Sequence, residues 1–111
     1  MIYSRRLIFK IYEQLISLCP EDITCCMADD DWTIVCLAGN REVQVNKSIS
    51  EVMDKLPSQH FSRVHQHWVV NVHYIDEIFW EESYIKLIDG VEIPFYHMMK
   101  FRLENIILDN P

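Results

Sequence analysis

The sequence predicts a mostly β domain: short antiparallel strands around one short internal helix, with an N-terminal helix before them and a C-terminal helix after. Three observations lead there. Apolar and polar residues alternate with period two in several short runs, the pattern of strands with one buried face. Gly39-Asn40 and Asp89-Gly90 punctuate those runs at hairpin spacing. Ser48-Ile49-Ser50-Glu51 is a capping box, in which Ser and Glu each satisfy the other's backbone amide.

Taken in order, Leu7, Ile8, Ile11, Tyr12, Leu15 and Leu18 follow helical spacing between Ser4 and Leu18. Pro20 then blocks continuation. The predicted helix has one apolar face, which either packs on its own domain or serves dimerisation or linkage. The organisation expected is thus a helix over residues 1–20 and a domain over residues 21–111. Ile23–Met27 is a strand running into the acidic turn Asp29-Asp30-Asp31. Trp32–Leu37 and Arg41–Val45 flank Gly39-Asn40 as a hairpin. Ile49, Val52, Met53 and Leu56 continue the capping box as a short amphipathic helix that ends before Pro57. Strands follow around His65 and Val70. Tyr74–Trp80 and Ser83–Ile88 pair about Glu81-Glu82, Val91–Phe95 follows the Asp-Gly turn, and Met98–Leu108 closes as a helix.

At 111 residues the chain suits a single domain, long enough for one modest core but not for two. Half of it is hydrophobic and only two residues are Gly, which argues against disorder. No apolar run approaches the roughly 18 residues of a membrane helix. Lys10 and Glu13 interrupt the N-terminal apolar stretch, and no small-residue cleavage site follows, so no membrane partner and a cytoplasmic location are expected. Cys19, Cys25, Cys26 and Cys36 contain no Cys-x-x-Cys pair. Reduced, structural thiols are expected, with one of the adjacent pair Cys25-Cys26 packing inside, because neighbours on a strand face opposite ways.

The formal charge is −7. After Pro20, seven basic residues face sixteen acidic ones. A broad phosphate-binding surface is therefore disfavoured, while a local basic rim is not. Asp29-Asp30-Asp31 and Glu81-Glu82 fall in turns, where carboxylates are ordinarily solvated. There is no Gly-rich phosphate loop and no nucleophile motif, so neither an enzyme nor a cofactor is expected. His65 and His67 are two apart on a strand and could chelate a metal with an acid such as Asp76. No spacing identifies that third ligand, and such histidines more often cap turns, so no metal is expected.

The stretch from Phe61 to Ile75 is the most informative. It places Arg63, three histidines (His65, His67 and His73) and Asn71 among apolar residues. Its pattern Phe-x-Arg-Val-His, then Val-Asn, then Ile four residues later resembles the signature of the LytTR DNA-binding domain, the output module of many bacterial response regulators. Leu87-Ile-Asp-Gly-Val-Glu-Ile-Pro94 is similar to a second, less specific stretch of that family, and the likeness spans roughly Asp22 to Ile107. The resemblance implies small antiparallel sheets packed in series, double-stranded promoter DNA as partner, and a place in a two-component system. It also implies base reading from three places: the start of the second strand, the residue after the signature His, and the loop after Ile-Pro. Here these are Asp31-Trp32, Gln66 and Tyr96-His97-Met98. The third departs from the family's common Ser-Arg-Arg-like sequence, and His67 stands where Ser is common. Phosphate contacts would come from Lys47, Arg63, Lys100 and Arg102, with Arg5, Arg6 and Lys10 before them. Promoter recognition, alone or as a homodimer, is one reading. A LytTR scaffold turned into a module for a regulatory protein partner is the other. A positive ridge joining Gln66, Lys100 and Arg102 would favour the first, and an acidic rim the second.

Overall fold

The computed structural model describes residues 5–110, and within them the chain begins with a hairpin rather than the expected helix. Residues 1–4, where that helix would have started, and residue 111 lie outside the description. Strands β1 (Leu7–Ile11) and β2 (Gln14–Leu18) pair antiparallel, with Leu7 opposite Leu18 and Ile11 opposite Gln14. The reason is a period ambiguity. Leu7, Phe9 and Ile11 alternate as well as Leu7, Ile8 and Ile11 fit a helix, and the alternate set is the one that finds a core. Leu7, Phe9 and Leu18 are buried, with Ile11 and Ile16 packed beside them.

The middle of the chain follows the expected order. Strands β3 (Ile23–Asp29), β4 (Trp32–Leu37) and β5 (Arg41–Val45) form a meander. Helix α1 (Ile49–Lys55) starts on the capping box, with the Glu51 amide donating to Ser48 Oγ at 3.2 Å and the Ser48 amide to Glu51 Oε1 at 3.0 Å. Strands β6 (Phe61–His65) and β7 (Trp68–Asn71) complete one five-stranded antiparallel sheet in the order β5-β4-β3-β7-β6. Strands β8 (Ile75–Phe79), β9 (Tyr84–Leu87) and β10 (Glu92–Pro94) make a three-stranded sheet, and α2 (Lys100–Leu108) closes the chain. Small antiparallel sheets around one short helix, with a C-terminal helix, is therefore the architecture.

The five-stranded sheet is covered on both faces, so the buried residues form two cores where a single one was expected. On one side the β1–β2 hairpin and α1 enclose Phe9, Ile23, Cys26, Val35, Val52 and Val69. On the other, the three-stranded sheet and α2 enclose Cys25, Val64, Val70, Ile85, Ile93 and Leu103. Hence both adjacent cysteines are buried, one per core, where only one was expected inside. Thr24 explains how Ile23 and Cys26 share a face three residues apart. The pairing jumps from Ile23 opposite Leu37 to Cys25 opposite Cys36, so Thr24 is the extra residue of a bulge, which resets the alternation. Its buried hydroxyl donates to the Cys36 carbonyl at 3.2 Å.

Candidate nucleic-acid interface

Strand direction decides which loops meet. In an antiparallel sheet of this order, the C-terminal ends of β3, β5 and β6 and the N-terminal ends of β4 and β7 share one end. That end carries Lys47, the turn Asp30-Asp31 leading into Trp32, and the corner Gln66-His67. The Ala28 amide donates to the His67 carbonyl at 2.9 Å, which ties the β3–β4 end to the β6–β7 corner. Thr33, buried at the start of β4, donates to the Lys47 carbonyl at 2.8 Å and so fixes where the β5–α1 loop leaves the sheet.

The segment after β10 arrives at the same place through a second bulge. Arg63 pairs with Val69 and His65 with Trp68, so Val64 is the extra residue, and its carbonyl accepts from the Tyr96 amide at 3.0 Å. The loop after Ile93-Pro94 is thereby stitched to the signature strand. Tyr96 lies against His65, with ring centres 4.4 Å apart, and its hydroxyl stands 3.5 Å from Gln66 Oε1. Arg63, His65, Gln66, Tyr96, Met99 and Arg102 line a shallow depression of about 230 Å³.

The corner that presents Gln66 is held from below. Arg63 donates through Nη1 to Ser50 Oγ at 2.8 Å and through Nη2 to the Gln66 carbonyl at 2.6 Å. The His67 amide donates to His65 Nδ1 at 3.1 Å, so that nitrogen must carry a lone pair. Partial burial, with a smaller contribution from His67, lowers the His65 pKa below 6.5 and keeps the ring in that neutral form. Asn71, the signature Asn, does not face the corner. It is buried, donating to the Ile23 carbonyl at 2.9 Å and accepting from the His73 amide at 3.0 Å, where it caps the short helical turn Val72–Tyr74.

Not every expected phosphate ligand is brought to this end. Lys100 and Arg102 are two residues apart on α2, about 200° around the helix axis. Arg102 lines the depression with Gln66, whereas the Lys100 ammonium lies 5.5 Å from the centre of the Trp80 ring. His97 and Met98 occupy a short helical turn beside Tyr96, and Met98 is 82% exposed. Arg6 is engaged within the β1–β2 hairpin by Ser17 and Cys19 and does not stand on a helix as expected. Two contributors escaped the sequence reading. Ser50 was visible only as part of the capping box. Tyr12 reaches Trp32 (ring centres 6.0 Å apart) from a hairpin turn that carries no turn residue. Among the described residues no group of three or more His, Cys, Asp or Glu side chains is placed to hold a metal ion, and no helix is long and apolar enough to cross a membrane.

A family model described as the LytTr DNA-binding domain matches residues 13–105. Among solved structures, the chain is similar to the LytTr DNA-binding domain of a Bacillus cereus protein described as a methyl-accepting/DNA response regulator. The TM-score is 0.77 at 20% identity, over 94% of this chain and 97% of that one, a likeness of fold. No curated protein matches the chain.

Proposed function

The chain belongs to the LytTR family of DNA-binding domains, and on that premise we propose that it binds double-stranded promoter DNA through the loop-bearing end of its five-stranded sheet, as a transcription-regulating output domain in the bacterial cytoplasm. One observation carries the reading. The three segments that the family likeness marks for base reading come from distant parts of the chain, yet meet at one end, joined by the Ala28–His67 and Tyr96–Val64 backbone hydrogen bonds.

The chemistry then divides by residue. Gln66 offers an amide able to pair with the N6 and N7 edge of adenine in the major groove. The Arg63 clamp and the neutral His65 fix the corner in advance, so little ordering remains on binding. Trp32, His97 and Met98 supply apolar and aromatic surface at the same end, suited to thymine methyl groups and sugars rather than to guanine. Arg102 beside the corner and Lys47 beyond the end of β5 serve as phosphate ligands, with Arg63 acting chiefly on the turn and Lys100 reaching a phosphate only by leaving Trp80. Asp29, Asp30 and Asp31 stand at the same end and limit how many phosphates can approach.

A salt-titrated binding assay on random duplex and on a pool of genomic fragments tests this. The expected result is selective duplex binding that weakens gently with salt. Absence of duplex binding even at low salt, where attraction between charges is strongest, would end the DNA reading. The acidic turn among the loops favours, in that event, a regulatory protein partner at this end.

A further inference from the structure

Two exposed surfaces complement one another, and only the hairpin tip, where Tyr12 meets Trp32, touches the loop end. The first is the outer face of the β1–β2 hairpin. Its alternation turns Leu7, Phe9 and Leu18 inward and Ile8, Lys10, Leu15 and Ser17 outward, with Tyr12 at the tip. Ile8, Leu15 and Tyr12 are 57%, 69% and 77% exposed. Arg5 and Lys10 are exposed on the same segment, in which Glu13 is the one carboxylate. The second is a groove of about 480 Å³ between β8 and α2. Ile78 and Trp80 are part of its apolar wall, Leu108 is 79% exposed at its mouth, and Asp76, Glu77 and Glu104 supply its charge. Those lining residues include no cation, and Lys100, resting over Trp80, is not among them.

We propose that the hairpin of one copy docks in the β8–α2 groove of a second copy, head to tail. Charge selects the partner. Hairpin against hairpin would bring Lys10 towards Lys10, and groove against groove would oppose carboxylates, whereas the unlike pairing sets cations on carboxylates and apolar on apolar surface. β8 is an edge strand of its sheet, and its acidic residues guard that edge against pairing with itself. One chain cannot satisfy both patches, because the hairpin covers one face of the five-stranded sheet and the groove belongs to the layer on the other. The contact is heterologous, so each copy keeps one patch open for the next. It does not depend on the DNA reading.

Sedimentation without DNA tests it, using full chains of three kinds: the native protein, K10E/L15E in the hairpin, and E77K/L108K in the groove. All four substituted side chains are exposed, so the fold is expected to survive. The native chain should associate as concentration rises, and each variant alone should remain monomeric over the same range. An equal mixture should recover association but stop at two chains, since only one intact hairpin and one intact groove remain to meet. A native chain that stays monomeric, a variant that associates like the native chain, or a mixture that does not associate would each overturn the proposal. The mixture also guards against misfolding, because only folded variants can complement each other.

Discussion

At the scale of single residues, the signature stretch separates into side chains that hold the corner, Arg63 and His65, and the exposed pair at its turn, Gln66 and His67. Replacing Gln66 with Ala should cost about 1–3 kcal/mol on the preferred site and relax sequence choice there, read from competition binding with single-base variants. Arg102→Ala should instead weaken all sequences alike and flatten the salt slope by roughly one unit. Lys100→Ala should change the slope less, since Lys100 rests on Trp80 while Arg102 stands beside Gln66. Asn71→Ala should destabilise the fold by about 1–3 kcal/mol in urea unfolding, because it strands the buried Ile23 carbonyl and the His73 amide. His65 adds a pH dependence. Its folded pKa lies below 6.5, so between the folded value and 6.5 the unfolded chain binds more protons. The contribution to stability is complete above about pH 6.5 and is lost as pH falls through the folded pKa. An imidazole NMR titration should place the His65 midpoint below 6.5; a midpoint above 6.5 would contradict the lone pair assigned to Nδ1.

At the scale of elements, the bulges in β3 and β6 do the positioning. Thr24 resets the alternation of β3 so that Cys25 and Cys26 enter different cores, and Val64 turns a carbonyl towards the incoming Tyr96. Burial raises the thiol pKa of Cys26. The hydrogen bond with Cys36, with burial second, raises that of Cys25. Alkylation of the native protein should therefore reach Cys19 and Cys36, both half-buried, before Cys25 and Cys26. Mass spectrometry of the labelled peptides reads the order. Labelling of Cys25 or Cys26 at the rate of the denatured chain would mean that β3 is not covered on both faces. The β1–β2 hairpin is the element whose type the sequence concealed. Its turn, Tyr12-Glu13, has Tyr12 at φ 54°, a conformation usually occupied by Gly or Asn, so no turn chemistry announced it.

At the scale of the molecule, a net charge of −7 has to coexist with binding to a polyanion. Lys47, Arg63 and Arg102 sit at one end of the sheet, while Asp76, Glu77 and Glu104 line the β8–α2 groove. Only the first group would meet DNA. The slope of log K against log salt is about −0.9 for each phosphate neutralised, so few contacts mean a shallow line. Titrating salt against binding to a preferred duplex should show that shallow slope. A steep slope, typical of many phosphate contacts, would require cations that this end does not carry.

Local patterns sufficed for much of the architecture. The capping box, the Gly39-Asn40 and Asp89-Gly90 turns and the period-two runs are properties of neighbouring residues, and neighbours decide caps, turns and strand faces. The signature from Phe61 to Ile75 likewise marked the corner where Gln66 stands. Tertiary structure decided what neighbours could not. A segment as apolar as Leu7–Leu18 fits either period, and it became a hairpin because Phe9 and Leu18 find one side of a sheet to cover. Both adjacent cysteines are buried because β3 lies between two cores, a fact about layers rather than about β3 itself. Lys100 and Arg102 part company because α2 turns about 100° per residue while the depression and Trp80 lie on different flanks of it. Which loops share an end of the sheet follows from strand order, and strand order is set by long-range pairing, not by local sequence.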